Sequence, residues 1–328
     1  MVNKWLPEEL KLFIKIYPTT DKNTLLVVFP RHTYSSIKAK AIELRLKKKE
    51  IPSNFKAINE DQLLREVSKR GFITSRKEIK RDVNYKFPAL LKPFKLGIVA
   101  DSHLCSCYQQ LTFLNDFYHT CHEEKITDIL HAGDMMEGNG KLYLGQIYEM
   151  FLHGGDAIID YTIKNYPKIE GITTHAIMGN HEYSWFKSEG IDMMKRVADK
   201  RPDIKYLGIF GAYINFGNIK IHLFHGIGGV AYARSYKIQK IIEQISPQDK
   251  PNILVAGGWH IGVHIPMYRN VEGFSLPCFQ SQTPSYMQPK GIYPTIGGLI
   301  LEIFPNEKGI DHIKTDWREY FVPIKNDY

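Results

Sequence analysis

The chain of 328 residues is poor in cysteine, with four, at positions 105, 107, 121 and 278. Cys105 and Cys107 stand too close for the usual zinc-knuckle pair, and no second pair completes a four-ligand site. The pattern reads as reduced thiols, not as a disulfide scaffold. Long apolar runs are also missing: none approaches the ~20 residues that span a bilayer. The opening segment, MVNKWLPEEL, lacks the apolar core of a secretion signal. These absences argue against membrane insertion and set the expectation of a soluble, cytoplasmic protein. Three further signatures are lacking, namely a phosphate-cradling P-loop, a dinucleotide fingerprint and a nucleophilic Ser or Cys motif.

What is present suffices for a large core, since 43% of residues are hydrophobic. Length allows one large domain and a smaller one. Charge is unevenly spread. Residues 1–95 hold 22 Lys or Arg against 10 Asp or Glu, whereas the remainder holds 21 against 25. The basic third is a candidate polyanion-binding module.

Residues 1–50 read as three short helices. Leu10, Phe13, Ile14 and Tyr17 recur on one helical face, and Pro18 ends the first. Thr19 or Thr20 caps a second, through Leu25, Leu26, Val28 and Phe29, before Pro30. Ser35 or Ser36 caps a third, with Ile37, Ala41 and Leu44 on its buried face. Lys38, Lys40 and Arg45 fall off that face, followed by Lys47, Lys48 and Lys49. An early Trp, three short helices and a basic third helix resemble the Myb/SANT-like helix-turn-helix modules. The resemblance implies a third helix in the DNA major groove, with these six residues on phosphates. A helical protein-interaction module is the competing reading. Residues 51–94 are expected to be a helical linker or partial winged helix, with a helical pair within 59–86, and Pro88 and Pro93 at the boundary.

From Lys95 the pattern becomes short apolar strands separated by helical stretches at about 109–124, 143–165, 190–200 and 232–245. This alternation is that of an α/β layered fold. Leu96–Ala100 runs into Asp101-Ser102-His103, and Asp128–Ala132 into Gly133-Asp134. Ile172–Met178 runs into Gly179-Asn180-His181-Glu182, Ile219–Phe224 into His225-Gly226, and Ile253–Ala256 into Gly257-Gly258-Trp259-His260. Ligands bind at the carboxyl ends of strands in such sheets. Five consecutive strand ends carrying metal-competent side chains therefore predict a cation site.

The order D-x-H, G-D, G-N-H-E, H-G and a final His motif resembles the calcineurin-like metallophosphoesterases over about residues 95–305. The stretch His225-Gly226-Ile227-Gly228-Gly229 with a following basic helix is similar to phage-type and archaeal-type members. The resemblance implies a four-layer αββα sandwich over 95–328, preceded by the helix-turn-helix module at 1–50. It implies two divalent ions, Mn²⁺ foremost, with Fe²⁺, Zn²⁺ or Ni²⁺ as alternatives. Asp101, His103 and His260 would hold the first ion and Asn180 and His225 the second, with Asp134 bridging. His181 would stand over the scissile phosphate. The implied function is phosphoester hydrolysis, with DNA as the expected substrate on the strength of the basic arm. A small phosphomonoester or cyclic nucleotide is the alternative substrate.

One departure stands out. The family's final motif is normally G-H-x-H, and Gly258 occupies the place of its first His, which would bind the second metal. Loss of that ligand opens three readings: a loosely held second ion, substitution by His264, or an inactive DNA-binding protein on this fold. Glu182 is expected either to orient His181 or, more plainly, to make a surface salt bridge. His131, His175 and His222 lie inside strands and read as packed or hydrogen-bonded, and His119 and His122 as exposed on a helix.

Overall fold

The structure is a computed structural model and describes residues 5–20, 22–47, 83–87 and 92–328. The chain divides into two compact units, Met1–Leu63 and Leu64–Tyr328.

The first unit contains α1 (Pro7–Ile16), α2 (Lys22–Val28) and α3 (Tyr34–Glu43). Phe13, Tyr17, Leu25, Phe29, Ile37 and Ala41 form its core, with Trp5 and Leu44 packed against it. Trp5 stacks on the His32 ring at 3.8 Å. Ile14, expected on the packed face, is exposed. The cap of α3 is Thr33, not Ser35 or Ser36; its hydroxyl accepts from the Ser36 N–H at 3.3 Å. Lys38 is exposed, whereas Lys40 is half-buried and ion-paired to Glu43. Positions two apart on a helix differ by about 200°. Lys38 and Lys40 therefore flank the Ile37–Ala41 stripe on opposite sides, and the outward face presents Ile42. Arg45 and Lys47 are exposed beyond the helix. Lys48, Lys49 and residues 59–82 lie outside the described residues.

The second unit holds two six-stranded sheets. One has the order β12-β11-β2-β3-β4-β5, with β2 (Phe94–Val99), β3 (Asp128–His131), β4 (Thr173–Met178) and β5 (Ile204–Ile209) parallel. β11 (Gly297–Asn306) and β12 (Gly309–Glu319) add antiparallel to its side. The other has the order β1-β6-β7-β8-β10-β9. Its strands are β1 (Val83–Phe87), β6 (Gly211–Phe216), β7 (Ile219–His225), β8 (Ile253–Gly257), β9 (Val263–Tyr268) and β10 (Val271–Ser275). Residues 83–87, read as part of a helical linker, are thus a strand, parallel to β6 with Tyr85 opposite Ile214. This sheet takes up residues ahead of position 95.

Side chains on the facing sides of the two sheets make one core, in which Leu96, Ile98, Ile177, Ile214, Leu223 and Val255 are buried. Each such aliphatic side chain contributes roughly 1.5–3 kcal/mol on burial. Helices α4 (Leu111–Glu123), α5 (Gly155–Asn165), α6 (Asn180–Glu189) and α7 (Met193–Lys200) cover the outer face of the first sheet through Phe117, Ile158, Trp185 and Val197. α8 (Tyr236–Gln244) covers the outer face of the second through Ile238 and Ile242, packed on Leu254 and Val271. Four layers result, as expected. The single helix expected over 143–165 is instead a short 3₁₀ turn at Gln146–Glu149 and α5, separated where Met150 turns extended. His175 bonds Asp128 at 2.8 Å, His131 bonds Ser102 at 3.0 Å, and His222 stacks on Tyr213 at 4.2 Å, so none of the three joins the strand-end cluster. His119 and His122 are exposed on α4.

Candidate metal centre

The parallel strands deliver their polar residues to one edge. β2 ends at Asp101 and His103, β3 at Asp134, β4 at Asn180 and His181 in the first turn of α6, β7 at His225, and β8 at His260. Four of these residues leave the strand in left-handed backbone: Asp101 (φ 52°), His103 (43°), Asp134 (55°) and His260 (57°). Non-glycine residues in this region cost on the order of 1–3 kcal/mol each and cluster at functional sites, where packing holds them.

Three groups of metal-competent side chains emerge among the described residues: Asp101, His103 and His260; Asp101, Asp134 and His225; and His103, Glu137 and His181. Asp101, His103 and His260 converge: His260 Nε2 lies 3.4 Å from Asp101 Oδ1 and 3.2 Å from His103 Nε2. Asp134 Oδ2 lies 3.2 Å from His225 Nε2, and Asn180 Oδ1 lies 3.0 Å from the same nitrogen. Asp134 Oδ2 is also 4.0 Å from His103 Nε2, so its carboxylate stands between the first two groups. His225 Nδ1 donates to the Ala132 carbonyl at 2.7 Å, which fixes the ring and turns Nε2 inward.

His181 sits beside the first two groups, its Nε2 3.9 Å from Asp134 Oδ2. Its Nδ1 is 2.8 Å from Glu137 Oε2. Glu137 is a candidate site carboxylate that the sequence reading missed. It is buried, and its Oε1 lies 3.4 Å from His103 Nδ1, so one carboxylate bonds His181 and stands beside His103. Gln146 and Gln280 each donate to it at 3.0 Å. The available signal was a second acid three residues after Asp134.

Glu182 makes no surface salt bridge and does not touch the His181 ring. It is buried and accepts from the Met136 N–H at 2.7 Å and the Gly179 N–H at 2.9 Å. It thereby ties the loop after β3 to the start of α6. Gly179 is glycine because a Cβ there would lie 2.2 Å from Asp134 Oδ1.

Electrostatics favour a cation. Asp101, Asp134 and Glu137 are buried, and their ion pairs are all with histidines among the described residues. Burial opposes charge on His181 and His225, yet the Asp134 carboxylate, with Glu137 at His181, pushes each up to about 9. The site thus gathers positive charge. Asp101 Oδ1 is buried with no hydrogen-bond donor, a cost that a cation would relieve. Carboxylate oxygen, amide oxygen and imidazole nitrogen are a donor set suited to divalent first-row ions.

Gly258 differs from the picture of a missing side chain. Its φ is 96°, and a Cβ there would lie 2.0 Å from the Gly226 carbonyl oxygen. Its N–H donates to Asp101 Oδ2 at 2.8 Å. His264 does not replace the ligand: it lies on β9, paired to Glu272 at 2.7 Å.

No curated protein matches the chain. Solved structures resemble it at low identity. A predicted phosphoesterase from Streptococcus pneumoniae is 10% identical, over 70% of this chain and 100% of its own, with a TM-score of 0.35. A dimetal phosphatase from Danio rerio is 11% identical, over 68% and 98%, with a TM-score of 0.37. Chaetomium thermophilum Vps29 is 11% identical, over 72% and 100%, also at 0.37. Residues 94–313 match the calcineurin-like phosphoesterases, which span the strand-end ligands described above, and the chain belongs to that family.

Proposed function

We propose that this metallophosphoesterase hydrolyses phosphodiester bonds in DNA, using two divalent ions with Mn²⁺ foremost. The observation that carries the two-ion reading is Asp134 Oδ2, 3.2 Å from His225 Nε2 and 4.0 Å from His103 Nε2, a shared carboxylate between two ligand groups. Asp101, His103 and His260 would hold one ion, and Asn180 and His225 the other. Gly258 adds no side chain to the second group, so its ion would be the weaker bound. When bound, such ions supply a hydroxide nucleophile at neutral pH and neutralise the phosphoryl oxygens.

The chain's own groups do the rest. Glu137 accepts from His181 Nδ1, which leaves Nε2 of the protonated ring to donate to the departing oxygen. Glu182 and Gly179 keep the turn that carries Asn180 and His181 against Asp134, whose Oδ1 accepts from the His181 N–H at 2.8 Å. DNA as substrate draws on the basic surplus of residues 1–95 and on exposed Lys38, Arg45 and Lys47 of a Myb/SANT-like arm, with Lys40, Lys48 and Lys49 contributing charge. Free thiols at all four cysteines agree with a cytoplasmic setting.

The test is hydrolysis, with added Mn²⁺, of bis(p-nitrophenyl) phosphate, of p-nitrophenyl phosphate and of labelled DNA, with Asp134→Ala as blank. Cleavage of the diester and of DNA that vanishes in the blank is the expected result. Monoester turnover with intact DNA would replace DNA by a small substrate. Silence on all three, with DNA still bound, would favour the binding-protein reading that Gly258 raises.

A further inference from the structure

Three loops leave the metal centre or its supports: 138–149 after Asp134, 226–237 after His225, and 281–293 beyond Gln280. Each is anchored to the site or its supports. Gln146 and Gln280 donate to Glu137, and Lys237 Nζ lies 5.4 Å from the ring of Trp259, next to His260. The loops also meet one another at Tyr286. Its ring lies 5.1 Å from that of Tyr143, its hydroxyl is 3.9 Å from the Cβ position of Gly229, and the neighbouring Ser285 N–H donates to Glu149.

Their composition is unlike that of the unit carrying them. Residues 96–328 have more acids than bases, yet the three loops hold Lys141, Arg234, Lys237 and Lys290 against one acid, Glu149. That acid is buried and bonded to Tyr143 and Ser285, so the outward charge is positive. The loops also hold six tyrosines. Tyr148 is 88% exposed, Tyr232 fully exposed, Tyr236 53% and Tyr293 69%. A tyrosine ring left in water contributes little to folding, since its stabilisation comes from burial. Tyr293 further lines a 440 Å³ cleft with Tyr108, Ser281 and Lys325, beginning one residue past Gln280. Flat exposed rings interleaved with cations suit a ligand that is both anionic and ring-bearing, as an unpaired nucleic-acid strand is. A duplex hides its base faces and could use only the cations.

We propose that this rim is a stacking platform for unpaired nucleobases, so that the metal centre takes single-stranded nucleic acid. The inference rests on the phosphodiesterase reading of that centre. The strand's phosphates lie along Lys141, Arg234, Lys237 and Lys290, and its bases stack on Tyr148, Tyr232 and Tyr293. The basic N-terminal arm would supply phosphate contacts only.

The experiment compares binding of the full chain to a short labelled oligothymidylate and to an abasic strand of equal length, by anisotropy in EDTA. Phosphate contacts, including the arm's, are common to both strands and cancel in the ratio. The expected ratio favours the base-bearing strand roughly tenfold or more. It falls toward one in the Tyr148→Ala/Tyr232→Ala double variant and is kept in Tyr148→Phe/Tyr232→Phe. Equal affinity for both strands in the natural chain, or a ratio that survives loss of both rings, would overturn the proposal and leave the tyrosines as a protein-docking surface. Bis(p-nitrophenyl) phosphate hydrolysis by the natural chain reads the catalytic proposal separately. Its absence beside a tyrosine-dependent ratio would strike that reading while supporting the platform.

Discussion

The N–H of Gly258 donates to Asp101 Oδ2 at 2.8 Å, and the same residue has no room for a Cβ against the Gly226 carbonyl. The position is therefore a backbone clamp on a carboxylate of the candidate metal centre. Gly258→His is expected to restore nothing: the imidazole enters only by displacing Gly226 or unwinding a φ of 96°, either of which moves Asp101. Strain of this kind costs on the order of 1–3 kcal/mol. Melting temperature should fall, and hydrolysis should drop at least about tenfold. Higher activity in Gly258→His would show that the clamp is dispensable.

Glu137 bonds His181 at 2.8 Å and approaches His103 at 3.4 Å. Glu137→Gln keeps the shape and removes the charge. Removal of a group that orients metal ligands costs ~10–100-fold in metal affinity or activity. Both kcat and Mn²⁺ affinity should fall in this variant, because one carboxylate serves both histidines. A loss confined to kcat would limit Glu137 to His181.

Metal should stabilise the fold through Asp134. An ion at 100 times its dissociation constant adds about 2.7 kcal/mol. Thermal unfolding with and without Mn²⁺ should show a marked upward shift in the natural chain, reversed by EDTA. Asp134→Ala should lose most of the shift. An equal shift in both would place the stabilising ion elsewhere.

His131 is buried against Ser102, and burial holds its ring down to about 3. The unfolded chain binds a proton near the ordinary histidine value of about 6.5. Above that pH neither state is charged, and the group contributes no slope. Between about 6.5 and 3 only the unfolded state takes the proton, so stability falls as pH falls. From pH 7 to 5 this amounts to about 2 kcal/mol at about 1.4 kcal/mol per unit. Urea unfolding of His131→Gln should lack that part of the loss. An unchanged slope would assign the pH dependence to other groups.

Removal of residues 1–50 should weaken DNA binding and flatten its salt dependence, with turnover of the small diester retained. A cut at residue 86 is a different experiment, because it removes β1, which pairs with β6 from Val83 to Phe87. Undiminished DNA affinity in the shorter deletion would sink the arm assignment.

The strand-end ligands were legible because each motif is local. Asp101-Ser102-His103, Gly133-Asp134 and Gly179-Asn180-His181 each follow an apolar run, and a parallel sheet brings such ends to one edge whatever else surrounds it. The three N-terminal helices were legible for a similar reason, since the Phe13–Tyr17 and Ile37–Ala41 spacings are set within one helix. The strands after His260 were not. β9 and β12 each bury a single residue, and β12 pairs only with β11, so their apolar signal is weak, whereas the apolar run Leu299–Ile303 of β11 ends in no metal-competent residue that would mark it. β1 was hidden because its strand identity comes from β6, more than a hundred residues away.

The sequence by itself determined which residue types could meet a cation and at which strand ends, because period and adjacency are properties of the chain. Only the tertiary structure decided what supports them. Glu137 reaching toward both His103 and His181, Glu182 turned inward to the Met136 N–H, and Gly258 closed by the Gly226 carbonyl all depend on segments far apart in the chain. Whether a carboxylate faces water or a buried N–H, and whether a glycine marks a missing side chain or a backbone contact, is settled by packing across elements, which one-dimensional spacing does not encode.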